Sequence, residues 1–336
     1  MGHGVHVAFL HGGPNLPRLE DGGVALHRIR SRGNYDPGIL LELVRLIRRI
    51  QPDLLQTWIL NMDVLAGMAA RVTGTPLILR EPSCASAYPR SVKTFLRKWI
   101  GRRADAIIAN SDGGATYWRM LGGPAARHVV PNGIPLDQLE TVRRASFSDL
   151  GVPPDRKVIL YAGRFEEGKN LEILVEAISI VIADMPVVAV LAGDGPGRPS
   201  IRRWVDRRGI SHGIVLPGFV DNVWAMMKAA DVFLFTSVFE GFPNVVLEAM
   251  ACGCPLVVSD IPAHREFLDG RNALLVNPGA PSEIAQAVRS VLSDPDGGRA
   301  RAEIAKETVA RWSVTAMGAG YENVYRSVLE RRGCRR

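Results

Sequence analysis

Residues 231–251 run Asp231-Val232-Phe233-Leu234-Phe235-Thr236-Ser237-Val238-Phe239-Glu240-Gly241-Phe242-Pro243-Asn244-Val245-Val246-Leu247-Glu248-Ala249-Met250-Ala251. The first seven positions read as a buried strand. Gly241 and Pro243 then break the chain direction, and Asn244 reads as the N-cap of a helix. Cys252-Gly253-Cys254-Pro255 stops that helix early. Free N–H groups and partial positive charge at such a terminus suit a diphosphate. Glu248, about one turn in, can accept hydrogen bonds from vicinal hydroxyls such as those of a ribose. Glu240 sits on the turn, near whatever the phosphate carries. The stretch is a candidate nucleotide-sugar site.

The same strand-then-helix pattern extends in both directions. Strand-like runs fall at 5–10, 24–29, 53–58, 77–80, 106–109 and 128–130, then at 158–162, 187–192, 214–216, 232–235, 256–259 and 274–276. Helical patterns such as 39–50, 171–182 and 282–292 lie between them. The alternation predicts an α/β fold of two Rossmann-like domains with parallel sheets. The first spans 1–135, a breaker-rich linker 136–156, and the second domain 157–312. A C-terminal helix and basic tail, 313–336, is expected to pack back on the first domain. After His11-Gly12-Gly13 only a short segment containing Pro14 and Pro17 precedes the next strand, where a full helix is usual. The favoured expectation is therefore a first domain whose first strand is missing, with unpaired sheet edges; the alternative is that 5–10 is the first strand, followed by an abbreviated connection.

Ligands of such sheets bind beyond the carboxyl ends of the strands. Gly163-Arg164-Phe165-Glu166-Glu167-Gly168-Lys169-Asn170 follows one strand. Gly163 permits a tight turn, and Arg164 and Lys169 supply two cations for a phosphate. The alternative is a solvated cluster with Glu166 and Glu167. Gly193-Asp194-Gly195-Pro196-Gly197 follows another strand but is a poor dinucleotide fingerprint, with Pro196 inside it and Ser200 at the last glycine position. Its reading is a tight loop on the site rim, formed by Gly193 and Gly195. Gly218, Phe219 and Val220 form a third strand-end loop, which either contacts a planar base or is a plain turn. Asp294-Pro295-Asp296 reads as a helix-ending turn, so no metal site is expected.

The chain has 336 residues and a net charge of +7, carried mostly by arginine. No strong nucleic-acid motif is present, so phosphorylated substrates or anionic lipid are the expected partners. Cys84, Cys252, Cys254 and Cys334 show neither metal-ligand spacing nor a disulfide framework, which fits a cytoplasmic setting. His128 and His264 read as structural. The longest apolar region, 173–192, is broken by Glu176, Asp184 and Pro186 and does not read as a membrane span. Residues 91–103 are basic, with Phe95, Leu96, Trp99 and Ile100 as one stripe. That stripe either faces the core, the favoured reading, or lies on an anionic membrane. The final arginines, from Arg331, read as a solvated tail.

These residues together resemble glycosyltransferase family four, the GT-B group of retaining nucleotide-sugar transferases. The resemblance is carried by Gly163-Arg164 with Lys169, by Gly193-Asp194-Gly195-Pro196, by the spacing of Glu240 and Glu248, and by Pro255-Leu256-Val257-Val258. In the first domain it rests on 104–111 and on Pro131-Asn132-Gly133-Ile134. It implies a UDP- or GDP-linked sugar donor held by the second domain, and a hydroxyl acceptor, a lipid-linked one among the options, held by the first. Arg164 and Lys169 would hold the diphosphate, Glu248 the ribose and Glu240 the sugar. Backbone amides of Gly241, Phe242, Pro243, Asn244 and Val245 would line the donor, with no obligatory metal or other cofactor. It further implies polysaccharide or glycolipid synthesis at the inner face of the cell membrane. Many members carry a histidine after the strand at 77–80, where this chain has Glu81-Pro82. A sugar-nucleotide epimerase and an inactive donor-binding remnant remain alternatives, with an oxidoreductase the weakest.

Overall fold

The computed structural model describes residues 2–13, 16–33 and 36–333. Pro14 and the tail residues Cys334, Arg335 and Arg336 lie outside these. Twelve parallel strands form three sheets among the described residues. In the second half the strands are β7 (Lys157–Ala162), β8 (Val187–Ala192), β9 (Ile214–Gly218), β10 (Val232–Phe235), β11 (Leu256–Ser259) and β12 (Leu274–Val276). Their order is β12-β11-β10-β7-β8-β9. The order reverses between β7 and β10, the place where a doubly wound sheet opens a ligand crevice. The glycine-lysine turn after β7 and the two-glutamate turn after β10 therefore flank the same crevice.

The sheet core follows from the sequence. Strands β8, β10 and β11 are buried at every position, as continuous apolar runs require when helices cover both faces. Strand β9 is an edge strand and only half-buried, so it tolerates Pro217. The helix Leu171–Asp184 buries Leu171, Leu174, Val175, Ile178 and Val181, a 3.6-residue stripe. Each such side chain contributes roughly 1.5–3 kcal/mol on burial.

The first half is divided. Strands β1 (His6–Phe9) and β2 (Ala25–Arg28) form one parallel pair, joined by a six-residue helix, Leu16–Asp21. Strands β3 (Leu55–Thr57), β4 (Leu77–Glu81), β5 (Ala106–Ala109) and β6 (Ala126–Val129) form a second sheet. The helices Gly38–Ile50 and Leu60–Thr73 hold the two together through Ile39, Leu43, Ile47, Ala66 and Ala69.

The breaker-rich 136–156 stretch is not a free tether. It contains the helix Leu136–Thr141, and Leu139 and Val152 join the second core. The final helix, Val314–Arg331, lays Tyr321, Val324 and Val328 on Ile78, Ala106 and Ile108 of the first half. Arg332 is exposed, as expected of the tail, and is also anchored by a 2.6 Å pair with Asp105. Asp294 ends one helix and caps the next through the Gly297 N–H.

Candidate functional site

Three strand-end loops are stitched together at the carboxyl edge of the second sheet. Gly163 N–H donates to Ala192 O, Phe165 N–H to Asp194 O, and Gly193 N–H to Gly218 O. A Cβ on Gly193 would collide with the Gly163 carbonyl, and its φ is +147°. Glycine is required there because two backbones meet. The 193–197 loop is thus tight, and it braces the Gly163 turn. Phe219 stands beyond Gly218 with its ring exposed.

The turn after β10 is tied to the turn after β7. Val238 N–H donates to Gly168 O, and Thr236 Oγ1 to Lys169 O. This brings Lys169 Nζ to 2.6 Å from Glu240 Oε1. Both side chains are largely buried, and the ammonium also lies 5.4 Å from the Phe235 ring centroid. An attraction of this kind weakens less in salt than a surface pair does. A cavity of about 380 Å³ opens over the pair, lined by Glu166, Glu167, Gly168, Lys169, Phe239, Glu240 and, from the first half, Ser83.

Other sequence-predicted residues do not line that cavity. Arg164 is mostly exposed and turns toward Glu166 at 3.5 Å. Glu248 lies on the helix Asn244–Ala251 and takes a hydrogen bond from Trp224. Burial holds its carboxyl above the usual carboxylate range, and the Trp224 bond only partly opposes this. A desolvated carboxylate of this kind seeks hydroxyl donors.

Asn244 is not the N-cap expected from the sequence. Pro243 holds that position, with extended backbone and no side-chain cap. Asn244 is instead the first helical residue, and its Oδ1 accepts a 2.6 Å bond from Asn132 Nδ2 of the first half. No side chain of the helix's own entry therefore occupies its N-terminus, where an anion is favoured.

The first half closes over this turn through contacts that strand patterns do not reveal. Asn132 Nδ2 also donates to Phe242 O at 3.0 Å, and Arg80 Nη2 fixes Asn132 Oδ1 at 2.8 Å. Gly241 packs on the Pro82 carbonyl and Ser83, where a Cβ would lie 2.8 Å from Ser83 Cα and nearer still to Pro82 O. Glu266 accepts 3.0 Å bonds from the N–H groups of Asp112 and Gly113, capping the helix Asp112–Leu121 across the two halves. Burial raises the Glu266 carboxyl, and these two N–H bonds pull it back.

Glu81 takes no part in the cavity directly. It is fully buried and accepts from Ser83 N–H, Tyr88 Oη, Arg97 Nη1 and Trp118 Nε1. Arg97 is also buried and pairs with Asp63 at 2.6 Å. This network fixes the loop that carries Ser83. His264 is buried beside Phe235, with Nδ1 2.6 Å from Ser259 O. Burial lowers its pKa, so it is neutral.

The chain matches two family models. Residues 1–138 match Glycosyltransferase Family 4, and residues 156–294 match Glycosyl transferases group 1. Over 284 residues it is 29% identical to a lipopolysaccharide core biosynthesis glycosyltransferase of Rhizobium meliloti, covering 84% of this chain and 78% of that one. Over 270 residues it is 27% identical to the N-acetylgalactosamine-N,N'-diacetylbacillosaminyl-diphospho-undecaprenol 4-alpha-N-acetylgalactosaminyltransferase of Campylobacter jejuni, covering 77% of this chain and 72% of that one. Its fold is similar to that of Anabaena HepE in complex with UDP and glucose, at a TM-score of 0.86 and 22% identity over 96% of this chain and 91% of that one.

Proposed function

Starting from a chain that is a glycosyltransferase of the GT-B type, we propose that it moves a sugar from a nucleoside diphosphate to a hydroxyl acceptor and keeps the anomeric configuration. The observation that carries this reading is the Lys169–Glu240 pair at the β7/β10 reversal, roofed by Ser83 from the other half. The UDP- or GDP-linked donor enters with its diphosphate over the Asn244 helix terminus. Glu248 takes the ribose hydroxyls, and Phe219 meets the base. Lys169 then exchanges part of its Glu240 contact for a phosphate oxygen, which frees Glu240 for the sugar hydroxyls. Arg164, exposed beside Glu166, swings onto the diphosphate.

In the reaction the bond from the anomeric carbon to the phosphate oxygen breaks, and its electron pair stays on the phosphate. The acceptor oxygen bonds to the same face of that carbon, and its proton passes to the departing phosphate. Charge builds on the leaving group, where Lys169, Arg164 and the helix N–H groups stabilise it. These protein cations meet that charge without a divalent ion, so transfer persists in a chelator. Glu240 is bound to a lysine rather than set opposite a second carboxylate across a sugar bond, which disfavours hydrolysis. The named activities of the Rhizobium and Campylobacter relatives support a lipid-linked acceptor in cell-envelope polysaccharide or glycolipid synthesis. The test is sugar transfer from a panel of nucleotide-sugars, with Glu240→Ala and Lys169→Ala as controls. Transfer at wild-type rate by both variants rejects the site.

A further inference from the structure

We propose that the outer face of the helix Val92–Gly101 docks on an anionic lipid bilayer. This helix is turned inside out. Arg97 points inward and is fully buried against Asp63 and Glu81. Val92, Phe95, Leu96 and Trp99, at the i, i+3, i+4, i+7 spacing of one helical stripe, face solvent with exposures of 77, 67, 36 and 40%. The favoured reading of the sequence, a stripe packed in the core, is correct only for Ile100. Soluble proteins do not ordinarily leave so large an apolar stripe uncovered.

The neighbouring helix extends the patch. Gly67 sits against Ile100, and Met68 and Val72 are exposed on the same side as Arg71, whose guanidinium lies 5.1 Å from the Trp99 ring centroid. Arg103 covers Trp99 at 4.6 Å.

Charge selects the occupant. Between residues 64 and 104 the sole acidic residue is Glu81, which is buried. Arg71, Arg90, Arg102 and Arg103 are exposed in the same span. An apolar stripe with a tryptophan, flanked by cations and with no exposed carboxylate in its own stretch of chain, fits lipid tails below anionic headgroups. No helix among the described residues is long and apolar enough to cross a membrane, so the contact is a surface one. The inference deepens the proposed function, and rests on it only for what the bilayer carries.

The experiment is co-sedimentation of the full chain with vesicles of phosphatidylcholine, alone or mixed with phosphatidylglycerol. Binding is expected to the mixed vesicles and to fall about tenfold on pure phosphatidylcholine and in high salt. Phe95→Ser/Trp99→Ser should lose binding by about tenfold or more while keeping its melting temperature, because both side chains are exposed. Arg102→Glu/Arg103→Glu should lose binding to the mixed vesicles alone. Lys169→Ala, which removes a proposed donor contact, should bind vesicles like wild type, so failure of the transfer reading leaves this result intact. Equal sedimentation of wild type and Phe95→Ser/Trp99→Ser overturns the proposal. So does a concentration-dependent dimer, abolished by that variant, in a protein that ignores vesicles.

Discussion

Gly241→Ala tests whether the two halves meet as closely as the reaction needs. The added methyl would sit 2.8 Å from Ser83 Cα and closer to the Pro82 carbonyl, both on the opposite half. Ordinary contact requires about 3.4 Å, and the Pro82 carbonyl is the closer atom, so the Pro82–Ser83 loop must retreat by about 1 Å. That loop cannot yield alone, because Glu81 ties Ser83 N–H to a buried arginine. The halves must part instead. A displacement approaching 1 Å at a reacting centre can cost about 10²-fold, so kcat should fall about 10- to 100-fold. The proposed ribose and base contacts, Glu248 and Phe219, lie on the second half alone, so nucleotide affinity should change by less than about threefold. Gly270→Ala, with open space around its Cβ, is the control and should behave as wild type. The assay pairs steady-state transfer with calorimetric titration of the nucleotide. A folded Gly241→Ala enzyme with kcat within about threefold of wild type refutes the reasoning.

Lys169→Ala should lower kcat by about 10²-fold or more, with a smaller change in donor KM, because its charge matters most as the leaving phosphate develops; steady-state kinetics decide. Glu248→Gln should bind donor about tenfold more weakly, yet be more stable above neutral pH. The folded-state pKa of Glu248 is raised, so its stability contribution is full below the unfolded value near 4.5 and is lost as pH rises through the folded value. Melting curves from acid to neutral pH should show that decline in wild type and its reduction in the variant. His264 has the opposite sign: its lowered pKa makes stability fall as pH drops below about 6.5, and His264→Gln melting curves should lose that component. Arg97→Met should destabilise the first half by about 3–5 kcal/mol, because Asp63 and Glu81 would stay buried without their cation; denaturant titration measures it.

Buried parallel strands were legible because each is a short, nearly unbroken apolar run, and the runs at 158–162, 187–192, 232–235 and 256–259 fall on β7, β8, β10 and β11. Lys169 and Glu240 were legible as partners in one site because both follow strand ends. Their direct pairing was not, since it depends on β7 and β10 being neighbours in the sheet. Asn132 stood out only as part of a family motif and Glu266 not at all; their bridging roles were not legible because each acts across the two halves, on partners more than a hundred residues away. The helix at 92–101 shows the limit of periodicity. A stripe can be read from spacing, but which side faces water was set by Asp63 and Glu81, contributed from other elements to neutralise Arg97.

Amide hydrogen exchange with and without a saturating nucleotide-sugar locates the donor most directly. Protection should appear in residues 163–170 and 239–248, and should weaken in both in Glu248→Gln at a donor concentration near the wild-type Kd. Protection confined to the first half, or wild-type protection of these two segments in that variant, would contradict a donor seated between β7 and β10.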